Sequence, residues 1–136
     1  MKKLLVLSLS VMLFSLTVLA QGKPKNVVLL IGDGMGLAQI YAGMVANGNK
    51  LQLERCKNVG FVKTYSASHF TTDSGAGGTA LACGVKTKNG MIGMNADSVV
   101  VRSILEMAEK NSLATGIVSA CAVTHATPAS FIAHVA

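Results

Sequence analysis

The sequence predicts an α/β protein in which a largely parallel central sheet lies between two layers of helices. Three observations support this three-layer sandwich. Apolar runs with the length of a strand occur at 26–31, 60–65 and 115–123, and each is followed by a helix-like segment. Such alternation of strands and helices is typical of parallel sheets. Hydrophobic residues make up 51% of the chain and charged residues 13%, which is enough apolar material for a buried core.

The first twenty residues are typical of a secretory signal peptide. Lys2 and Lys3 precede an apolar run that ends at Ala20, and the polar residues Gln21 and Gly22 follow. The alternative is a membrane anchor, but the run from 4 to 20 is shorter than the ~20 residues that span a bilayer. We therefore predict cleavage after Ala20, export to the periplasm or the extracellular medium, and a mature chain without a membrane span.

The charge pattern argues against nucleic-acid binding. The net charge is +6, but Lys and Arg are dispersed along the chain and do not interleave with aromatic residues.

Cys56, Cys83 and Cys121 form no C-x-x-C pair, so their spacing excludes a structural zinc knuckle. One disulfide plus one free thiol is an open alternative, and we expect buried free thiols because Cys83 and Cys121 lie in small apolar surroundings.

The elements follow in order along the chain. The aliphatic run at 26–31 predicts a strand buried on both faces, and the glycine-rich turn at 32–36 leads into a short helix at 37–46. After the second strand at 60–65, Asp73 or Ser74 opens a helix of very small residues that Gly84 ends.

The second half of the chain repeats this alternation. Residues 98–111 predict an amphipathic helix, with Ile104 on its apolar face and Glu106 on its polar face. The run at 115–123 returns as a strand. Pro128 begins another helix, because proline is tolerated in the first turn of a helix.

Asp33 is the first candidate site residue. It follows the first predicted strand, and ligands of parallel sheets gather at the carboxyl ends of strands. A dinucleotide fingerprint would require glycine where Leu37 stands, and no P-loop Lys-Ser/Thr follows. A carboxylate in this turn suits a bound cation, although an aspartate in an ordinary turn is an equally good reading of this segment alone.

Ser74 is the second candidate. A serine at a helix N-terminus is most often a cap. The same position also offers backbone N–H groups and a positive dipole to a phosphate group. Thr72 and Ala76 occupy the places where a lipase-type nucleophile elbow needs glycine. No base is near in sequence, so a metal ion would be the natural activator of the hydroxyl.

His125 and Thr127 form the third candidate, at the end of the third predicted strand. They alternate, so both side chains can face the same side if the helix begins after them. A single histidine after a strand is usually structural, and this segment alone does not decide between the two roles.

Taken together, three segments resemble the alkaline phosphatase family. They are residues 26–36, with Gly-Asp-Gly-Met-Gly; residues 72–87, with Thr-Asp-Ser-Gly-Ala-Gly-Gly-Thr-Ala; and residues 124–131, with Thr-His-Ala-Thr-Pro. They occur in the family's order and spacing, and the middle segment is similar to the family's active-site signature.

The resemblance implies a function and a set of roles. It implies hydrolysis of small phosphate monoesters through a phosphoserine, with two Zn²⁺ and one Mg²⁺ as cofactors and a homodimer as the assembly. Ser74 would be the nucleophile and a zinc ligand, and Asp33 would bridge one zinc and the magnesium. His125 and Thr127 match magnesium-site positions, and Asp73 matches a residue that supports a phosphate-clamping arginine.

Two departures from the family pattern accompany the resemblance. Gly75 and Gly78 stand where members commonly carry alanine, which should loosen that helix. The family's clamping arginine and most of its zinc ligands come later than Ala136. Residues 21–136 are therefore expected to be the N-terminal part of one longer catalytic domain, inactive in isolation.

Two alternative functions are open at this point. One is a non-catalytic chain that binds metal or phosphate. The other is a phosphodiesterase or phosphonate hydrolase of the same superfamily.

Overall fold

The computed structural model describes residues 24–136. The predicted signal peptide and its cleavage site after Ala20 lie outside these residues. The chain divides at Gly32, and of the N-terminal unit the structure describes only 24–32, without helix or strand and with exposed side chains. No helix within 24–136 has the length and apolarity needed to cross a membrane.

The second unit, Asp33–Ala136, contains four α-helices among its described residues. They are α1 (Leu37–Ala46), α2 (Ser74–Cys83), α3 (Ile104–Lys110) and α4 (Ala126–Ala129), with a 3-10 helix at Gln52–Arg55 between α1 and α2. The helices predicted at 37–46 and from Ser74 are confirmed, including the left-handed Gly84 that ends α2. Pro128 lies in the first turn of α4, which begins two residues earlier than predicted.

The segments predicted as strands are not paired in residues 24–136. The β-pairing there is limited to two isolated antiparallel bridges, Ile92 with Val135 and Met94 with Val100. A strand needs a neighbour that accepts and donates its backbone hydrogen bonds. The runs at 26–31, 60–65 and 115–123 find no such neighbour among the described residues. The three-layer sandwich therefore stays a prediction.

The centre of the second unit is built from small side chains around α2. Ala76, Ala82 and Ala129 are buried, and α2 packs against both α3 and α4. Four hydroxyl side chains are fully buried beside them, namely those of Thr79, Thr87, Ser103 and Ser130. Each has a hydrogen-bond partner, so burial leaves no unpaired hydroxyl in the described part of the chain.

Helix α3 is shorter than predicted. It begins at Ile104 rather than at residue 98, because Ser103 and Glu106 form a capping box. The Ser103 Oγ accepts from the Glu106 N–H at 3.1 Å, and a Glu106 carboxylate oxygen accepts from the Ser103 N–H at 2.7 Å. The preceding residues fold back, since Val100 bridges to Met94.

The three cysteines are free thiols, as expected. The expectation that they are buried is wrong for Cys121, which is exposed, as is Cys56. Cys83 is half-buried, and burial, together with the nearby Glu106 carboxylate, raises the pKa of its thiol. The small residues around Cys121 leave it uncovered in the described part of the chain.

Candidate active site

The first turn of α2 presents Ser74 on a firmly capped helix end. Asp73 is the N-cap, and one of its carboxylate oxygens accepts from the Ala76 N–H at 2.8 Å. The other accepts from the Gly90 N–H at 2.6 Å. Ser74 follows as the first helical residue, and its side chain is exposed. The cap reading therefore applies to Asp73 and leaves the Ser74 hydroxyl free for another partner.

That partner is Asp33. The Ser74 Oγ donates to Asp33 Oδ1 at 3.2 Å, although the two residues are 41 positions apart in sequence. The Thr127 hydroxyl donates to the other carboxylate oxygen, Oδ2, at 2.7 Å from 94 positions away. Three of the predicted site residues are thus brought into one cluster, with the Asp33 carboxylate joining the other two.

His125 and Thr127 do not lie together on an extended strand end, as their alternation predicted. Thr127 is the second residue of α4, so it is not part of an extended strand end that alternates with His125. His125 is the exposed N-cap residue, and its imidazole makes no hydrogen bond to any residue of 24–136. Thr127 therefore belongs to the cluster with Asp33 and Ser74. His125 is close to Thr127 in sequence, but its side chain makes no hydrogen bond to this cluster.

Close packing between α2 and α4 sets the position of Thr127. Ser130 is buried, and its Oγ donates to Ala126 O at 2.7 Å and lies 3.4 Å from Gly75 O. A Cβ placed on Gly78 would lie 2.7 Å from that Oγ and 3.4 Å from the Thr127 Cα. Glycine at 78 lets α4 approach the α2 backbone so closely that a methyl group there would require Ser130 or the helices to shift.

The cluster has the chemistry of a site for a hard cation. Asp33, Ser74 and Thr127 contribute only oxygen atoms, which Mg²⁺ prefers. Zinc sites use three or four protein ligands, mostly nitrogen and sulfur atoms besides carboxylates. Within residues 24–136 no three His, Cys, Asp or Glu side chains converge on a point. The oxygen atoms of the described residues thus suit part of a magnesium site and supply a smaller part of a zinc site.

A segment that the sequence pattern does not mark as functional, residues 87–90, also holds Asp73. Residues 87–90 lie against residues 66–72, the polar loop before Ser74. Asn89 and Gly90 both bond to Asp73, through the Asn89 side chain and the Gly90 N–H. The Asn-Gly pair marks a turn in the sequence. That pattern gives no indication of which residues the turn contacts.

A second polar cluster lies at the N-terminal end of α3, where Glu106 stands in the first turn. His134 Nδ1 is 2.7 Å from Gly93 O, and its Nε2 is 3.1 Å from a Glu106 carboxylate oxygen. The Gly93 carbonyl, followed by Glu106, raises the pKa of His134. The Ser103 N–H, helped by His134, lowers the pKa of Glu106 although burial opposes this. Both partners of His134 accept hydrogen bonds, so the geometry favours the protonated imidazolium.

A site with an exposed serine at a helix N-terminus, beside a carboxylate, belongs to the class of sites that can accept a phosphoryl group. Comparison with known proteins places this chain in a family. The sequence profile described as alkaline phosphatase matches residues 24–136, and the chain belongs to the alkaline phosphatase family. The resemblance seen in the three sequence segments is thereby confirmed.

Curated relatives share the matched region with this chain. It is 41% identical over 119 residues to alkaline phosphatase 4 of Bacillus subtilis, covering 81% of this chain and 26% of that protein. It is 36% identical over 132 residues to alkaline phosphatase 4 of Drosophila melanogaster, covering 85% and 22%. The chain therefore spans about a quarter of the length of these relatives.

Solved structures agree with these matches. The alkaline phosphatase of the Antarctic bacterium TAB5 superimposes with a TM-score of 0.79 at 48% identity, covering 82% of this chain and 33% of that one. A His-to-Asp variant of the same enzyme, with magnesium bound in its M3 site, gives a TM-score of 0.79 at 46% identity, covering 82% and 32%. The chain thus has an alkaline-phosphatase-like fold.

Proposed function

We propose that the complete protein hydrolyses phosphate monoesters through a phosphoserine at Ser74. The observation that carries the proposal is the hydrogen bond of 3.2 Å from the Ser74 Oγ to Asp33, on an exposed helix N-terminus in a family member. The hydrogen bond directs the hydroxyl proton toward Asp33. The oxygen lone pairs remain available for attack on phosphorus.

The covalent steps balance as two displacements. The Ser74 Oγ forms a bond to phosphorus as the ester P–O bond breaks, and the released alcohol takes up the proton that Ser74 loses. Water then cleaves the phosphoserine and gives phosphate and free Ser74. During both steps the positive end of the α2 dipole favours the negative phosphoryl group.

We further propose two zinc ions and one magnesium ion as cofactors. Asp33 and Ser74 would hold zinc, and Asp33, Thr127 and His125 would form part of the magnesium site. When bound, such ions act as Lewis acids that acidify a coordinated hydroxyl and neutralise charge on the phosphoryl oxygens. Magnesium in the M3 site of the TAB5 variant, in which a histidine is replaced by Asp, supports a magnesium site in this family.

The remaining proposals concern the whole protein. We propose that residues 21–136 belong to one catalytic domain with the three-layer sandwich, that the protein is exported, and that it forms a homodimer. The absence of a nucleic-acid surface and the support of an arginine by Asp73 stay predictions. In residues 24–136 both carboxylate oxygens of Asp73 are engaged by backbone N–H groups.

A non-catalytic chain that binds metal or phosphate is the second candidate. The observation that favours it is the lack of a three-residue cluster of His, Cys, Asp or Glu within 24–136. The two candidates differ in whether a covalent phosphate forms.

Trapping the phosphoenzyme tests the proposal directly. The complete protein, incubated with radiolabelled phosphate and quenched in acid, should carry label on the peptide that contains Ser74. Ser74→Ala should remove the label and lower kcat by several orders of magnitude, as loss of a nucleophile does. Ser119→Ala, a half-exposed serine outside the cluster, serves as the matched control. Label on another residue would refute the assignment, and absence of label with retained phosphate binding would favour the second candidate.

A further inference from the structure

The segment at 87–90 holds the chain that leads into Ser74. Three backbone groups of this segment take part. Thr87 O accepts from the Ala67 N–H at 2.8 Å. The Asn89 N–H donates to the Ser68 Oγ at 3.0 Å, and the Gly90 N–H donates to Asp73 Oδ2 at 2.6 Å. The polar loop is therefore fastened at its beginning and at its end.

Asn89 is the residue of this segment whose side chain reaches the backbone of the loop. Its Nδ2 donates to Thr71 O at 3.0 Å. Its Oδ1 accepts from the Asp73 N–H at 3.4 Å. The side-chain amide thus spans Thr72 and contacts a peptide group on either side of it, a pattern that needs one donor and one acceptor in the same side chain.

These contacts complete the restraint of Asp73. Its carbonyl accepts from the Gly77 N–H at 3.0 Å, and its carboxylate is held by Ala76 and Gly90. With Asn89 on its N–H, every polar group of Asp73 has a partner. The backbone around Asp73 then has little freedom to rotate, which fixes the position from which the Ser74 side chain projects before any substrate arrives.

We propose that Asn89 is a positioning residue for Ser74, which fixes the backbone before the nucleophile so that its Oγ points at Asp33. The inference rests on the proposed function. Asn89 makes no contact with the Ser74 or Asp33 side chains among the described hydrogen bonds, so it acts through Asp73. Catalytic groups work when they are held within about 0.5 Å of the productive geometry. Loosening the loop should therefore slow phosphorus attack more than it weakens substrate binding.

The first test is Asn89→Ala in the complete protein. A misplacement of about 1 Å can cost about 100-fold in rate, so we expect kcat to fall by about 10- to 100-fold while KM changes by less than about threefold. Asn111→Ala is the matched control. The Asn111 side chain also donates to a backbone carbonyl, that of Met107, at 2.7 Å, and Asn111 stands at the end of α3. This variant should leave kcat unchanged.

The second test uses a titratable replacement of the same shape. Ionised, the carboxyl group of Asn89→Asp lacks the donor for Thr71 O and brings a negative charge close to that carbonyl oxygen. Protonated, it regains one donor and one acceptor. The rate of Ser74 phosphorylation in Asn89→Asp, relative to the unmodified protein at the same pH, should rise as pH falls through the pKa of the introduced group. A purely structural role would not produce this pH dependence of the ratio.

Thermal denaturation and metal content of each variant accompany the kinetics. Unchanged kcat in folded Asn89→Ala would overturn the proposal, as would a flat rate ratio in Asn89→Asp. A loss of kcat matched by an equal loss in Asn111→Ala would also overturn it. Failure to label Ser74 in the unmodified protein is a different result, because it would refute the proposed function itself and the inference with it.

Discussion

Alanine substitution at Gly78 tests how tightly α4 is packed against α2. The structure places the new Cβ 2.7 Å from the Ser130 Oγ and 3.1 Å from the Ser130 Cβ. Ordinary contacts of a Cβ begin near 3.4 Å, so the two helices would have to separate by several tenths of an ångström. Ser130 cannot simply turn away, because its Oγ is buried and donates to Ala126 O.

The expected magnitude follows from two opposing terms. Overpacking of a close interface costs typically ~1–3 kcal/mol. Replacing glycine by alanine inside a helix returns ~1 kcal/mol. We therefore expect Gly78→Ala to lower the free energy of unfolding by ~0–2 kcal/mol. The neighbouring Gly77 is the matched control, since its Cβ would meet only Thr72 at 3.6 Å. Gly77→Ala should raise the free energy of unfolding by ~1 kcal/mol.

The assay is urea denaturation of the complete protein and the two variants, followed by magnesium titration. Separation of the helices would also draw Thr127 away from Asp33, so Gly78→Ala should weaken magnesium binding and Gly77→Ala should not. Ser130→Ala added to Gly78→Ala should recover part of the stability, because it removes the atom that the new Cβ would meet. If Gly78→Ala is as stabilising as Gly77→Ala, the close packing of α4 against α2 is refuted.

Three further predictions concern the metals, the pH response and the N-terminus. Asp33→Asn should reduce both zinc and magnesium content, because a neutral amide replaces the carboxylate that joins Ser74 and Thr127; unchanged content by elemental analysis would contradict the site. Urea denaturation across pH should show that the raised pKa of His134 adds stability below its ordinary value of about 6.5, and that this gain is lost as pH rises through the raised value. The lowered pKa of Glu106 adds stability above its ordinary value, and this gain is lost as pH falls through the lowered value. Glu106→Gln should therefore reduce the change of stability with pH in both ranges. An unchanged pH dependence in the variant would count against the His134–Glu106 pair. Mass spectrometry of the exported protein should find its N-terminus at Gln21, and an intact Met1 in the soluble exported fraction would disprove cleavage.

The sequence predicted best where the cause is local. The start of α2 at Asp73 or Ser74 and its end at Gly84 depend on residues within one turn, and the structure confirms both ends, with Asp73 as the cap. The three glycines of that helix indicated close packing, which the contacts of Gly78 with α4 bear out. The start of α3 was misplaced because amphipathic spacing extends through residues 98–103, whereas the capping box at Ser103 decides where the helix begins.

What the sequence determined by itself is the family and the identity of the candidate site residues, since short segments of fixed spacing carry both. Only the tertiary structure decided which of these residues meet. It brought Asp33 to Ser74 and Thr127 across 41 and 94 positions, left His125 at the exposed end of α4, and placed Asn89 against the loop before Ser74. The physical reason is that a cap forms within one turn of chain, while contacts between distant residues depend on how closely helices can pack. Here that approach is set by Gly78 and Ser130, whose effect appears only when α2 and α4 lie together.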